Sequence, residues 1–283
     1  MDWFDKFLNL GFGTQIIIAL VAKYLLYLCY RKASEISRHA DENMLTSIAV
    51  SSFNLIAVIV FVADINNWLQ AQYDALGIPT LDPGIWTGLP LWLVCVIGIV
   101  TKDFADYWSY RVMHTRWGWP THAAHHSDTH VNGFTGLRVH FLESILMTIS
   151  AVLLLTWMQI PQVIPIVALF YMVQGVYIHL DLDWDHGPFK YLFASPRYHR
   201  WHHADVPEAY GKNLSSVIPL WDVLFGTYYN PGTCDKPMGA RATGVPDKNP
   251  ILIYIYPVQE WGRLIRAEAG RLADRFRNPR ARP

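Results

Sequence analysis

The chain is poor in charge. Only 16% of its 283 residues are Asp, Glu, Lys or Arg, against roughly 25% in an ordinary soluble domain, which argues against a purely soluble globule. Basic and acidic residues number 23 each, so the basic excess of a nucleic-acid binder is missing and no nucleic-acid partner is expected. Cysteine is scarce and unpaired: Cys29, Cys95 and Cys234 form no CxxC or CxxCH, which excludes a disulfide framework, a thiolate metal site and covalent haem. There is also no P-loop and no GxGxxG after a strand, and hence no built-in nicotinamide or flavin module. What is abundant is apolar residues, at 52%, and histidine, at 12 residues.

The apolar residues fall in runs. Leu45 to Ala63 and Ile85 to Thr101 contain no Asp, Glu, Lys or Arg, and Leu10 to Tyr30 contains only Lys23. All three approach the roughly 20 residues a helix needs to cross a bilayer. A fourth run, Ser144 to Leu180, is also uncharged, but as one helix it would be about 55 Å long, too long for a single crossing. Pro161 and Pro165 near its middle predict a hairpin of two helices. Met1 to Leu10 carries Asp2, Asp5 and Lys6 rather than a basic leader, so the first run is expected to stay. Arg31, Lys32 and Arg38 follow that run, whereas His39 to Val100 has no Lys or Arg. The positive-inside rule then puts the Asp64 to Gly84 loop outside, and Lys102 to Glu143 and Asp181 to Pro283 in the cytoplasm. The expected fold is all-α, an integral membrane bundle of about four to five spans under a cytoplasmic histidine-rich cap. Its expected parts are transmembrane helices over 1–101, a catalytic region over 102–230 that includes the hairpin at 144–180, and a basic tail over 231–283.

Eleven of the twelve histidines lie in two windows, His114 to His140 and His179 to His203, each following an apolar run. HxxHH occurs twice, as His122, His125, His126 and as His199, His202, His203; at this histidine content about 0.02 such motifs would arise by chance. Positions i, i+3 and i+4 share a helical face, where neutral imidazoles bind metal. The candidate ligands are His114, His122, His125, His126, His140, His179, His199, His202 and His203, too many for one tetrahedral zinc and suited to two ions. Nitrogen ligands are compatible with iron and do not exclude zinc as a substitute. His39, His130 and His186 read as surface or hydrogen-bonding residues. Asp181 and Asp183 read equally as acceptors behind ligand imidazoles or as a solvated loop.

At these residues the sequence resembles the fatty acid hydroxylase and sterol desaturase superfamily of integral-membrane di-iron enzymes. The resemblance runs through Asp103-Phe-Ala-Asp106-Tyr107-Trp-Ser-Tyr110-Arg111-Val-Met-His114, His122 to Ser127, Arg138-Val-His140, His179-Leu-Asp181, Pro196 to His203, and Asn213 with Leu220 to Thr227. It implies two irons that activate O2 to hydroxylate or desaturate a lipid. Such families begin with HxxxH, where this chain has Tyr110xxxHis114. Tyr110 as a phenolate ligand, as the mark of an open position, or as a plain aromatic all remain open. Phe141 stands where related sequences often have Pro, and Arg111, Arg138 and Trp221 read as scaffold.

Hydroxylation of an unactivated C–H bond requires two external electrons per O2. With no redox module in the chain, an external donor is expected, a ferredoxin or cytochrome type with its reductase. Arg263, Arg266, Arg271, Arg275, Arg277, Arg280 and Arg282 could dock that donor or bind anionic headgroups. Two other classes stand beside this reading: a zinc-binding membrane hydrolase or structural protein, and a metal-depleted lipid-binding or scaffold protein. The first lacks the Glu of an HExxH arrangement.

Overall fold

The computed structural model describes residues 12–33, 36–62 and 65–277. The helices are α1 (Phe12–Ala33), α2 (Arg38–Val62), α3 (Ile65–Leu76), α4 (Leu91–Met113), α5 (Trp119–His126), α6 (Phe141–Trp157), α7 (Ile164–Ile178), α8 (Pro196–His202), α9 (Leu220–Phe225) and α10 (Pro250–Arg277). Among the described residues there is no strand, only an isolated bridge between Ala204 and Met238. The all-α expectation therefore holds.

The predicted hairpin is present. α6 stops at Trp157, the chain reverses through Gln159 at φ 59°, and a 3-10 turn over Pro161–Val163 leads into α7. α4 packs along α6 and α7. Their shared core of Val94, Leu155, Met158, Ile160, Val163 and Val167 lies at the α6–α7 turn, and His179 caps the opposite end of α7. α3 buries Leu69 and Tyr73, with the Tyr73 hydroxyl donating to Leu153 O at 2.7 Å. Lys23, the one charge in the first apolar run, faces protein and donates to Ser51 Oγ at 3.0 Å.

The outer faces are apolar. Val21 and Leu25 on α1, Leu91, Trp92 and Val96 on α4, and Leu169, Met172 and Val173 on α7 are all exposed. Among the described residues one helical segment, Pro161–Ile178, is long and apolar enough to cross a membrane, and α6 is apolar but shorter. The expected count of four to five spans is not reached on that measure. For the third run the reason is local. The 3-10 turn Pro83–Trp86 and Pro90 delay the start of α4 to Leu91, and the helix then continues through Lys102, Asp103, Asp106 and Arg111 into the histidine region. Half of α4 is thus polar and belongs to the cap.

Candidate metal centre

α5 and α8 supply most of the histidines. α5 has Pro120 in its first turn and is buried from Pro120 to His126 on every side, with Ala123 and Ala124 as small spacers between imidazoles. α8 is started by Ser195, whose Oγ accepts from Tyr198 N at 3.2 Å, followed by Pro196. Both are single short helices that tertiary burial, rather than propensity, must hold.

Eight of the nine candidate histidines come together, in two sets. His114, His122, His126 and His202 form one, and His125, His179, His199 and His203 form the other, each with one nitrogen per residue inside a 4.8 Å group. Each HxxHH triplet is divided. α5 gives His122 and His126 to the first set and His125 to the second, while α8 gives His202 to the first and His199 to the second. His114 ends α4, His179 ends α7 and His203 ends α8. The two sets adjoin, with the His126 and His203 rings 4.6 Å apart.

Hydrogen bonds on the far ring nitrogens decide what the near ones present. Nδ1 of His114, His125, His179 and His202 faces a backbone carbonyl, of Tyr110, Arg138, Gly175 and Lys212, at 2.8, 3.2, 2.5 and 2.9 Å. A carbonyl only accepts, so each Nδ1 carries the proton and each Nε2 a lone pair. The Nε2 of His179 and of His125 nevertheless lie 3.2 Å apart, lone pair against lone pair. His199 and His203 place their Nε2 2.9 and 3.1 Å from the same His179 atom, and one lone pair accepts at most one hydrogen bond. In the first set His126 Nε2 lies 3.2 Å from His122 Nε2 and 3.1 Å from His202 Nε2. Hydrogen bonds within either set leave some of these lone pairs facing one another, whereas a cation at each centre would meet all of them.

Burial reinforces this. It holds His114 down to about 3 and His202 to about 4, and holds His122, His125, His126, His199 and His203 well below the usual imidazole range, with neighbouring imidazoles adding to the shift. The rings are thus held neutral, the form in which an imidazole can bind a metal. Behind His122 stands Glu143, whose Oε1 is 2.8 Å from Nδ1 and whose buried Oε2 has no partner. Burial pushes that carboxyl well above its usual range.

His140 is not part of either set. It caps α6, with Nδ1 accepting from Leu142 N at 3.2 Å, while Nε2 faces Tyr254 O at 3.3 Å. Both ring nitrogens thus have partners within the protein, and His140 lies apart from the two sets. Tyr110 packs its ring edge-on against His122 at 5.0 Å. Burial first, then Glu143 and Asp106, push that phenol above its usual range, so it stays protonated. Asp181 and Asp183 pair with Arg200 and Arg197 rather than with any imidazole.

The surrounding scaffold is polar and extensively hydrogen-bonded. Arg138 is wholly buried, donating to Ala124 O, to Ser127 Oγ, to Asn43 and to Asp247 O, which ties α5 to α2 and the chain before α10. Arg111 reaches Tyr107 and Phe225 O. Two carboxylates that composition and spacing did not single out organise the rest. Asp103 accepts from Val217 N, Ile218 N, Tyr171 Oη and Trp221 Nε1. Asp222 accepts from Leu214 N, Ser215 N, Tyr198 Oη and Thr227 Oγ1. Their signal in the sequence is an acid among aromatic residues.

A cavity of about 240 Å3 opens onto the first set, lined by His114, His126, His202, Trp119, Tyr210 and Thr243 among others. None of the second set lines it, and all four of its histidines are buried.

Residues 95–227 match the fatty acid hydroxylase family model. Curated relatives are similar over half or more of the chain. The ornithine lipid hydroxylase OlsE of Rhizobium tropici is 30% identical over 145 residues, covering 50% of this chain and 44% of that protein. Alkylglycerol monooxygenase of Homo sapiens is 28% identical over 162 residues, 57% of this chain and 34% of the relative. Methylsterol monooxygenase 1-1 of Arabidopsis thaliana is 28% identical over 160 residues, 50% of this chain and 51% of the relative. The chain thus spans about half or less of these relatives' own length. No solved structure matches.

Proposed function

Since the chain belongs to the fatty acid hydroxylase and sterol desaturase superfamily, whose matched members are lipid-modifying monooxygenases, we propose that it is a multi-pass membrane oxygenase holding two irons, one in each histidine set. The observation that carries this is the convergence of eight neutral imidazoles on two centres where hydrogen bonding leaves lone pairs facing one another. Bound there, iron would supply O2 activation, with the balance lipid–H + O2 + 2 electrons + 2 protons giving lipid–OH + H2O, the electrons coming from a ferredoxin or cytochrome-type donor at the cytoplasmic face.

The chain's own residues set the conditions. Backbone carbonyls at Nδ1 fix the tautomer and aim of His114, His125, His179 and His202. Glu143 holds His122 and places a negative charge behind the first set when that set is cationic. Trp119 and Tyr210 line an apolar approach to that set, excluding bulk water from a reacting C–H bond. The second set, closed to the cavity, tunes and supports rather than receives substrate. Catalytic zinc keeps three protein ligands and an open position; four imidazoles per centre and the engagement of Glu143 with His122 do not suit a zinc hydrolase.

The test is to supply the purified, iron-loaded chain with a reducing system, a membrane-lipid extract and 18O2. Transfer of one 18O into a lipid product is expected. A fully iron-loaded, reducible protein that leaves every lipid unlabelled contradicts the assignment.

A further inference from the structure

α10 carries a second pattern that the oxygenase reading does not use. Ile251, Ile255, Val258, Ile265 and Leu272 recur at spacings of four, three, seven and seven, with Gly262 and Ala269 at the positions between, so they form one stripe along the helix. All five are exposed, Ile251 and Val258 by more than two thirds. The opposite face carries Ile253, Tyr256 and Leu264, which are buried where the helix packs on α2 and α5. From Ile265 to Asp274 only Glu268 is part-buried, through its tie to Arg116, so this half of the helix stands off the body of the protein.

The charge of the segment is one-sided. From Pro250 onward there are seven arginines and three acids. Glu260 and Glu268 are held by Arg263 and Arg271, while Arg266, beside the stripe, has no acidic partner among the described residues. Such an excess repels a second copy of the helix and attracts anionic headgroups, at about 1 kcal/mol per basic residue near the surface. Gly262 and Ala269 also interrupt the stripe where a helix–helix seam needs large side chains. The stripe continues onto the bundle. Phe53 of α2, 52% exposed, packs 4.7 Å from the ring of Tyr254 and leads to the apolar outer faces of the helices.

We propose that α10 lies in the plane of an anionic membrane surface, its Ile251–Leu272 stripe immersed at the boundary of headgroups and acyl chains and its arginines on the phosphates. The inference rests on the reading that the chain sits in a membrane. It makes α10 an in-plane anchor that holds the histidine cap against the bilayer.

The test places nitroxide labels at Leu272→Cys and Ile265→Cys on the stripe and at Ala267→Cys off it, in a full-length chain with Cys29, Cys95 and Cys234 changed to Ala and reconstituted in nanodiscs. Collision rates with O2 and with a water-soluble nickel chelate give depth. With phosphatidylglycerol present, the stripe labels should meet the chelate at least about threefold less often than the Ala267→Cys label and meet O2 more often, as for a helix buried 5–10 Å into the boundary. In phosphatidylcholine alone, or with Arg266→Glu, the contrast should shrink. Stripe labels as open to the chelate as the Ala267→Cys label overturn the inference. So do labels shielded from both reagents with a short interspin distance, which mark a second copy. Co-elution with the nanodisc reports insertion separately, so an inserted chain with its stripe in water overturns the anchor and leaves the membrane reading standing.

Discussion

The two histidine sets both draw on α5 and α8, with His114 of α4 completing the first and His179 of α7 the second, and they differ in their surroundings. The first borders a cavity through His114, His126 and His202, and has Glu143 and the Tyr110 ring behind it. Among the described residues no histidine of the second set lines that cavity and no carboxylate is hydrogen-bonded to one of them, and Nδ1 of both His199 and His203 is buried without a partner. In the proposed function the difference gives them different work: a substrate would arrive at the first, which borders the cavity, while the second is buried and depends on packing for its geometry.

The largest effect that would sharpen this contrast comes from removing one ligand from each set. His202→Ala and His203→Ala should each lower metal from about two ions to about one and reduce turnover at least about a hundredfold, since even outer-shell losses reach that size. Probe binding at the cavity should be lost only in His202→Ala. Loss of both ions from either variant would show that the sets are not separable.

Gly136→Ala addresses the second set alone. A Cβ there would sit 2.6 Å from Gly175 O and 2.9 Å from His179 Nδ1, so the 3-10 turn over Thr135–Leu137 could no longer lie against α7. The expected cost is about 1–3 kcal/mol in stability, seen in thermal unfolding, with loss of the second ion before the first. An unchanged melting temperature and two retained ions would show that α7 can shift freely.

Glu143→Ala tests the first set. Metal affinity there should fall about 10–100-fold in chelator competition, the second set holding its ion, and Glu143→Gln should recover most of the loss by accepting from His122 Nδ1. The smallest effect is expected for Tyr110→Phe. It removes only the phenol hydroxyl, should cost no more than about 1 kcal/mol and should leave metal content unchanged, whereas loss of an ion would make the phenol oxygen a ligand.

Much of this was legible in the sequence because helical spacing is a local property. The HxxHH triplets, the hairpin at Pro161 and Pro165 and the all-α class follow from neighbours a few residues apart. The sharing of each triplet between two centres did not, because it depends on how α5 and α8 meet. His140 was drawn into the ligand set by its place in Arg138-Val-His140, yet it sits at the first turn of α6, where the ring caps Leu142 N–H. At Ile85 the apolar run and the helix do not coincide, for a similar reason. Apolar composition continues through Pro90, but a proline there starts the helix at Leu91 and the charged second half of α4 is drawn into the cap. Glu143 and Asp103 appear as ordinary acids until folding buries them.

The most direct measurement is iron per chain, by elemental analysis of protein purified under reducing conditions, for the native chain and for His202→Ala and His203→Ala side by side. Two irons in the native chain and one in each variant is the expected result. One iron or none in a folded native chain, or zinc retained in both sets after expression with iron and without added zinc, would contradict the two-centre assignment.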